Sequence, residues 1–180
     1  MKDIPRTASH SAFPTPHSAL AIVALGSNLD DSRQIITEAM EQLRDFSSRP
    51  ILKSSLWQTS PVDCPPGSSP FVNAVVGLVP GKNETPEALL LKLHMLEKEF
   101  GRQPKQVLNE PRPLDLDLIA FGAEVRNAPD FVLPHPRAHL RRFVLQPLSE
   151  IAPDLVLPGQ KISAKQLLAG LAGGETVTKL

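Results

Sequence analysis

The sequence has no tyrosine, one tryptophan, one cysteine and no excess charge of either sign. Each of these lacks excludes something. The single cysteine, Cys64, cannot close an intrachain disulfide, and it leaves a cysteine-based zinc site or iron–sulfur cluster without ligands. Nineteen Lys and Arg balance nineteen Asp and Glu, so the chain lacks the basic excess of a protein that coats nucleic acid or an anionic membrane. Its apolar runs fall far short of the roughly 18 residues that span a bilayer, and residues 1–19 hold no continuous hydrophobic region of the secretory kind. No Gly-x-x-x-x-Gly-Lys-Ser/Thr run is present, which excludes a P-loop as a phosphate cradle. A soluble, cytoplasmic protein with neither membrane nor nucleic acid as partner is expected.

What the chain does have is a 41% hydrophobic content in 180 residues, enough for one packed domain. It also has 19 prolines, about twice the ordinary share, which predicts long, ordered connecting loops. Residues 1–19 show no apolar periodicity and are expected to be a disordered leader. A strand is predicted at Leu20–Leu25, followed by a turn at Gly26-Ser27-Asn28 and a helix carrying Ile35, Ile36, Ala39, Met40 and Leu43 at helical spacing. Ile51–Thr59 reads as one strand, and Phe71–Val79 as a buried one. A second helix starts with Thr85 as cap, Pro86 at its first position and Glu87 near the positive dipole end. It turns Leu89, Leu90, Leu93, Leu96 and Phe100 to one side and stops at Gly101. Leu114–Phe121 alternates with period two, as a strand does.

This order, βαββαβ, predicts an α+β fold with a ferredoxin-like core, two helices covering one face of an antiparallel sheet. A hairpin around Glu124–Leu133, a helix from Arg137 to about Leu145 and an amphipathic docking helix from Ser163 are expected additions. The domain is expected to span 20–160, with 161–180 as a C-terminal helix and tail.

The densest chemistry lies in Arg112-Pro113-Leu114-Asp115-Leu116-Asp117-Leu118. On a strand, Asp115 and Asp117 point to one side with Cα atoms roughly 6.5–7 Å apart, while the three leucines face the core. The spacing suits a solvated acidic pair, and equally a site for hard divalent ions such as Mg²⁺, which favours carboxylates when a phosphate completes its shell. Lys98, Arg102, Lys105 and Arg112 flank the pair on one side in sequence, and Arg137, Arg141 and Arg142, with His135 and His139, on the other. Such a grouping fits a nucleoside triphosphate, or else a solvated face with helix-end charges. Phe71 and Asn73 share a strand face and offer a ring and an amide to a flat heterocycle, with Phe143 as a candidate opposite wall; the alternative is a core Phe71 with an edge Asn73, and a core Phe143.

Taken together, ALGSNL at 24–29, the QTSPV loop followed by FVNAVV at 71–76, LEKEFGR at 96–102, PRPLDLDLIAFG at 111–122 and LPHPRAHLRRFVLQPLSEIAPDLVLP at 133–158 resemble the 6-hydroxymethyl-7,8-dihydropterin pyrophosphokinases of folate biosynthesis. The resemblance implies transfer of a pyrophosphoryl group from ATP to the pterin hydroxymethyl oxygen, with release of AMP. It further implies that Asp115 and Asp117 hold two Mg²⁺ ions, and that Arg102 and Arg112 neutralise charge during transfer. Phe71 and Phe143 would sandwich the pterin, its edge read by Asn73 and by the Thr59–Asp63 loop, including Ser60 and Val62. Glu97, Arg102, Arg112, Leu118, His135 and Arg141 would line the ATP site.

The chain departs from the family at Pro104 and at Leu108-Asn109-Glu110, where relatives carry an arginine and an Arg-Trp-Gly run. It also carries Pro136 where a Tyr is frequent, and a pterin loop one residue longer. The 102–112 segment is expected to close as a lid over bound substrates. A catalytically weak pterin- or nucleotide-binding relative is the alternative that the altered loop suggests. A ferredoxin-like RNA-binding module is disfavoured by the zero net charge and the lack of an aromatic run on the strands. The sequence names no protein partner.

Overall fold

The computed structural model describes residues 20–29, 31–61, 69–103, 111–173 and 176–180. The expected leader, Val62 to Ser68 and Pro104 to Glu110 therefore lie outside the described residues, and with them Val62, Asp63, Cys64, Lys105 and most of the expected lid. Strand β1 (Ala21–Ser27) is wholly buried and is an inner strand of the sheet. It pairs antiparallel with β4 (Phe71–Leu78) from Ala21 opposite Leu78 to Ser27 opposite Val72. On its other side it pairs antiparallel with β5 (Asp115–Phe121), from Ala21 opposite Phe121 to Gly26 opposite Asp115. With β3 (Trp57–Thr59) beyond β4, the strand order β5-β1-β4-β3, with the chain order of its helices, is the expected ferredoxin-like arrangement.

Period-two alternation divides the core into two layers. Ala21, Val23 and Leu25 face a cluster with Leu116 and Leu118, the helix α1 (Ser32–Gln42) and the helix α2 (Pro86–Glu99). The expected signals of α2 are in place: the Thr85 hydroxyl accepts from Ala88 N at 3.1 Å, and Gly101 turns the chain out at φ 87°, a conformation costly to residues with a Cβ. Ile22, Ala24, Val75 and Ile119 point the opposite way. They meet Val144, Leu145 and Leu148 of helix α3 (Arg142–Ile151) and Ala164 of helix α4 (Ala164–Gly170). The sheet is thus covered on both faces, one layer more than the core alone requires, because β1 and β4 carry apolar side chains on both sides.

Three local expectations are corrected. Ile51–Thr59 is two short strands, β2 (Leu52–Lys53) and β3 (Trp57–Thr59), both paired with β4. Between them the Ser54 hydroxyl accepts from Val75 N at 2.9 Å, so a side chain takes a donor of the kind a strand carbonyl would otherwise take. The helix expected from Arg137 is instead a 3₁₀ turn (Ala138–Leu140) and then α3, separated by Arg141 in extended conformation. α3 also runs through Pro147, whose missing N–H costs one bond to the Phe143 carbonyl; burial of Val144, Leu145 and Leu148 outweighs that loss. Lastly, β8 (Val177–Lys179) pairs antiparallel with β3, an edge strand too short for its pattern to register in the sequence. The expected hairpin is present as β6 (Arg126–Ala128) and β7 (Phe131–Leu133). No helix among the described residues is long and apolar enough to cross a membrane.

Candidate active site

With Leu114, Leu116 and Leu118 committed to the first layer, Asp115 and Asp117 must present to the other face of β5. Register brings the rest of the constellation to them. Gly26 lies opposite both Asp115 on β5 and Asn73 on β4. A Cβ at Gly26 would stand 3.3 Å from Asn73 Oδ1, 3.9 Å from Phe71 Cδ1 and 4.0 Å from Asp115 Cβ. The glycine is therefore the seam between an aromatic–amide half and a carboxylate half. In the first half, Thr59 pairs with Phe71 across β3 and β4, and buried Asn73 donates from Nδ2 to Thr59 Oγ1 at 2.8 Å. That bond orients the amide. Ser60 follows directly at the end of β3, half-buried.

The second half is built on the outer edge of β5, where backbone groups are not taken up by β1. Leu116 N donates to Glu97 Oε1 at 2.7 Å, and His135 N donates to the Ile119 carbonyl at 2.8 Å. Glu97 also accepts from the Arg102 guanidinium, which in turn reaches Asp115 Oδ1 at 2.9 Å. Arg112 contacts the same oxygen at 3.2 Å. Burial pushes Glu97 up to about 7, against the opposing effect of the Leu116 N–H and Arg102. Asp117 is in no ion pair among the described residues; burial and the neighbouring charge of Asp115 raise it to about 6. Burial, then the positive charges of Arg141 and Arg137, lowers His135 to about 4. Its Nδ1 accepts from Arg137 N at 3.3 Å, which leaves the proton of the neutral ring on Nε2.

Arg141 lies 5.3 Å from the centre of the Phe143 ring, within cation–π range. Phe143 is half-buried near the start of α3. The Leu118 side chain, only 4% exposed, sits in the first layer, on the sheet face away from Asp117, so it joins the site only through its place in β5 between Leu116 and Ile119.

Asn28 carries more than the sequence reading assigned to it. It is buried, its Oδ1 accepts from Arg112 N at 3.0 Å, and its own N donates to the Arg112 carbonyl at 3.4 Å. This reciprocal pair fixes the backbone of an arginine 84 residues away. The Gly-Ser-Asn turn is visible in the sequence, but its partner is not.

A ferredoxin-like sheet thus carries a carboxylate pair among arginines and, across Gly26, an aromatic–amide pair, an arrangement suited to moving a phosphoryl-type group onto a flat heterocyclic substrate. Residues 22–153 match the family described as 7,8-dihydro-6-hydroxymethylpterin-pyrophosphokinase (HPPK), and the chain belongs to that family. The 2-amino-4-hydroxy-6-hydroxymethyldihydropteridine pyrophosphokinase of Pseudomonas aeruginosa is 38% identical over 138 residues, 76% of this chain and 82% of that protein. The folic acid synthesis protein fol1 of Pneumocystis carinii is 36% identical over 139 residues, again 76% of this chain but 18% of that longer protein. Among solved structures, wild-type HPPK-DHPS of Plasmodium falciparum with pteroate aligns at TM-score 0.66 and 13% identity, over 83% of this chain and 42% of that one. The chain thus spans less than half the length of that HPPK-DHPS chain and under a fifth of the fol1 protein.

Proposed function

We infer that the chain transfers the pyrophosphoryl group of ATP to 6-hydroxymethyl-7,8-dihydropterin, yielding AMP and the pterin diphosphate, in folate synthesis. The observation that carries this reading is the register at Gly26, which brings Asn73, Phe71 and Asp115 together around one glycine, a ring and an amide suited to a pterin next to a residue suited to a metal–phosphate site. In the reaction the pterin hydroxyl oxygen forms a bond to the β-phosphorus. The bond between that phosphorus and the oxygen bridging it to the α-phosphate breaks, AMP leaves and the hydroxyl proton is released. No protein nucleophile is needed, so catalysis rests on positioning and charge stabilisation.

Phe71 and Phe143 would bracket the pterin ring, with Asn73 and Thr59, and Ser60 and Val62 beyond, reading its edge. Arg102 and Arg112, held on Asp115, stand ready to turn to the phosphates. Glu97, His135 and Arg141 would frame the nucleotide along β5, with Leu118 between. The donor set fits Mg²⁺. Two carboxylates on one strand face, one of them resisting ionisation beside the other, suit a hard cation that takes few protein ligands and fills its shell with phosphate and water oxygens. Two such ions on Asp115 and Asp117 would supply charge neutralisation to the triphosphate when bound. We assign catalysis to residues 20–160 and a cytoplasmic setting, where ATP is supplied; the substrates are small molecules.

The test is the nucleotide product formed from ATP, Mg²⁺ and the reduced pterin. Pterin-dependent AMP is expected from the unaltered chain, falling at least about 100-fold in Asp115→Ala and Asp117→Ala. Tight pterin binding without AMP would replace the enzyme reading with that of a binding protein.

A further inference from the structure

Residues 154–180 lie beyond the part of the chain matched to the family, and their last five described residues cover one edge of the site. In β8, Lys179 lies opposite Trp57 and Val177 opposite Thr59. At one end Ser60 N donates to the Thr176 carbonyl at 3.2 Å and Thr176 N donates to Ser60 Oγ at 3.4 Å. At the other, Leu180 N donates to the Leu56 carbonyl at 2.9 Å, and the Leu180 side chain packs on the first core layer. The outer edge of β3 is thereby paired from Leu56 to Ser60. Its inner edge sets Trp57 opposite Asn73 and Thr59 opposite Phe71.

One carboxylate joins this edge to the helix above it. Glu150 accepts through Oε2 from Ser55 N at 2.9 Å and Trp57 Nε1 at 3.3 Å, and through Oε1 from Ser55 Oγ at 2.6 Å and Lys179 Nζ at 2.8 Å. The Lys179 ammonium also lies 5.8 Å from the Trp57 ring centre. Burial works against the charge of Glu150, but the donors from Lys179, Ser55 and Trp57 hold its carboxyl down at about 2. Glu150 stands seven residues, two helical turns or roughly 10 Å, beyond Phe143 on the same side of α3. A single latch thus ties together the helix that carries one pterin wall, the strand that carries Thr59 and the terminal strand.

We propose that residues 176–180, latched by Glu150, are a positioning element for the pterin site, holding β3 so that Thr59 keeps the Asn73 amide, and Ser60 its own place at the end of β3, in the binding-competent arrangement. This rests on the function proposed above. The physical argument is that a three-residue edge strand has little stability of its own. When β3 frays, only a fraction of molecules presents the pocket, and apparent pterin affinity falls by that fraction. The nucleotide side, on the outer edge of β5, lies three strand spacings away, roughly 14 Å, and is spared.

The test compares the unaltered chain with a chain ending at Gly173 and with Glu150→Ala. The readouts are KM for 6-hydroxymethyl-7,8-dihydropterin, KM for ATP, and kcat by AMP formation. Pterin KM is expected to rise about 5- to 20-fold in both variants while ATP KM and kcat stay within about twofold. If the shortened chain does not fold, Glu150→Gln in the full chain, neutral and nearly isosteric, should raise pterin KM about threefold or more at unchanged ATP KM. Unchanged pterin KM in the folded variants, or an equal rise in both KM values, overturns the brace. Absence of pterin-dependent AMP from the unaltered chain overturns the proposed reaction instead; pterin affinity by equilibrium fluorescence then carries the same comparison.

Discussion

Gly26 separates the two halves of the site by the width of one absent methyl group. Its backbone is not in the left-handed region, so alanine is tolerated there conformationally, but the new Cβ would crowd the Asn73 amide at 3.3 Å. Gly26→Ala is expected to raise pterin KM about tenfold, equivalent to about 1.4 kcal/mol, while chemical denaturation registers a loss of stability below about 2 kcal/mol. An unchanged pterin KM would remove Gly26 from the seam. At His135, burial and the nearby arginines hold the ring at about 4, below the ordinary 6.5. The folded state therefore binds fewer protons than the unfolded chain between these values, so the stability this group contributes is complete above about pH 6.5 and is lost as pH falls toward 4. An NMR titration of the His135 ring should show its midpoint near pH 4; a midpoint above 6 would contradict the burial argument. These individual groupings were only partly legible in the sequence. The Asp115–Asp117 pair follows from strand period alone. The Asn28–Arg112 pair and the Glu150 latch join residues 84 and 95 positions apart, and local pattern holds no trace of such distances.

Local signals and observed boundaries agree best at α2, because cap, first-turn proline, acidic first turn and terminal glycine all act within a few residues of one another. Thr85→Ala removes the acceptor of Ala88 N and is expected to cost about 1 kcal/mol in urea unfolding, with kcat for AMP formation unchanged, since the cap lies at the end of the helix away from Glu97. Agreement is poorest where a tertiary contact overrides a local preference. Ser54 divides Ile51–Thr59 by bonding to Val75 on the neighbouring strand. Pro147 reads as a helix stop, yet α3 continues through it because the second layer needs Leu148. β8 exists only because the edge of β3 offers it partners.

At the scale of the whole molecule, one sheet separates two apolar layers, so each layer depends on the same strands. Leu93→Ala in the first and Leu148→Ala in the second, both fully buried, are each expected to cost about 2–5 kcal/mol while leaving a single cooperative unfolding transition. Two separate transitions in calorimetry would mean that the layers fold independently. The sequence by itself determined the ferredoxin-like order of elements, the inward leucines and outward carboxylates of β5, and the residue types of the proposed pterin and nucleotide site, because periodicity, capping and motif spacing are local properties of the chain. Tertiary structure alone decided the second layer, the meeting of Asp115, Asn73 and Phe71 around Gly26, the raised Glu97 and Asp117, and the terminal strand at the edge of β3. Those depend on strand register and on burial, which come into being only when distant segments pack together.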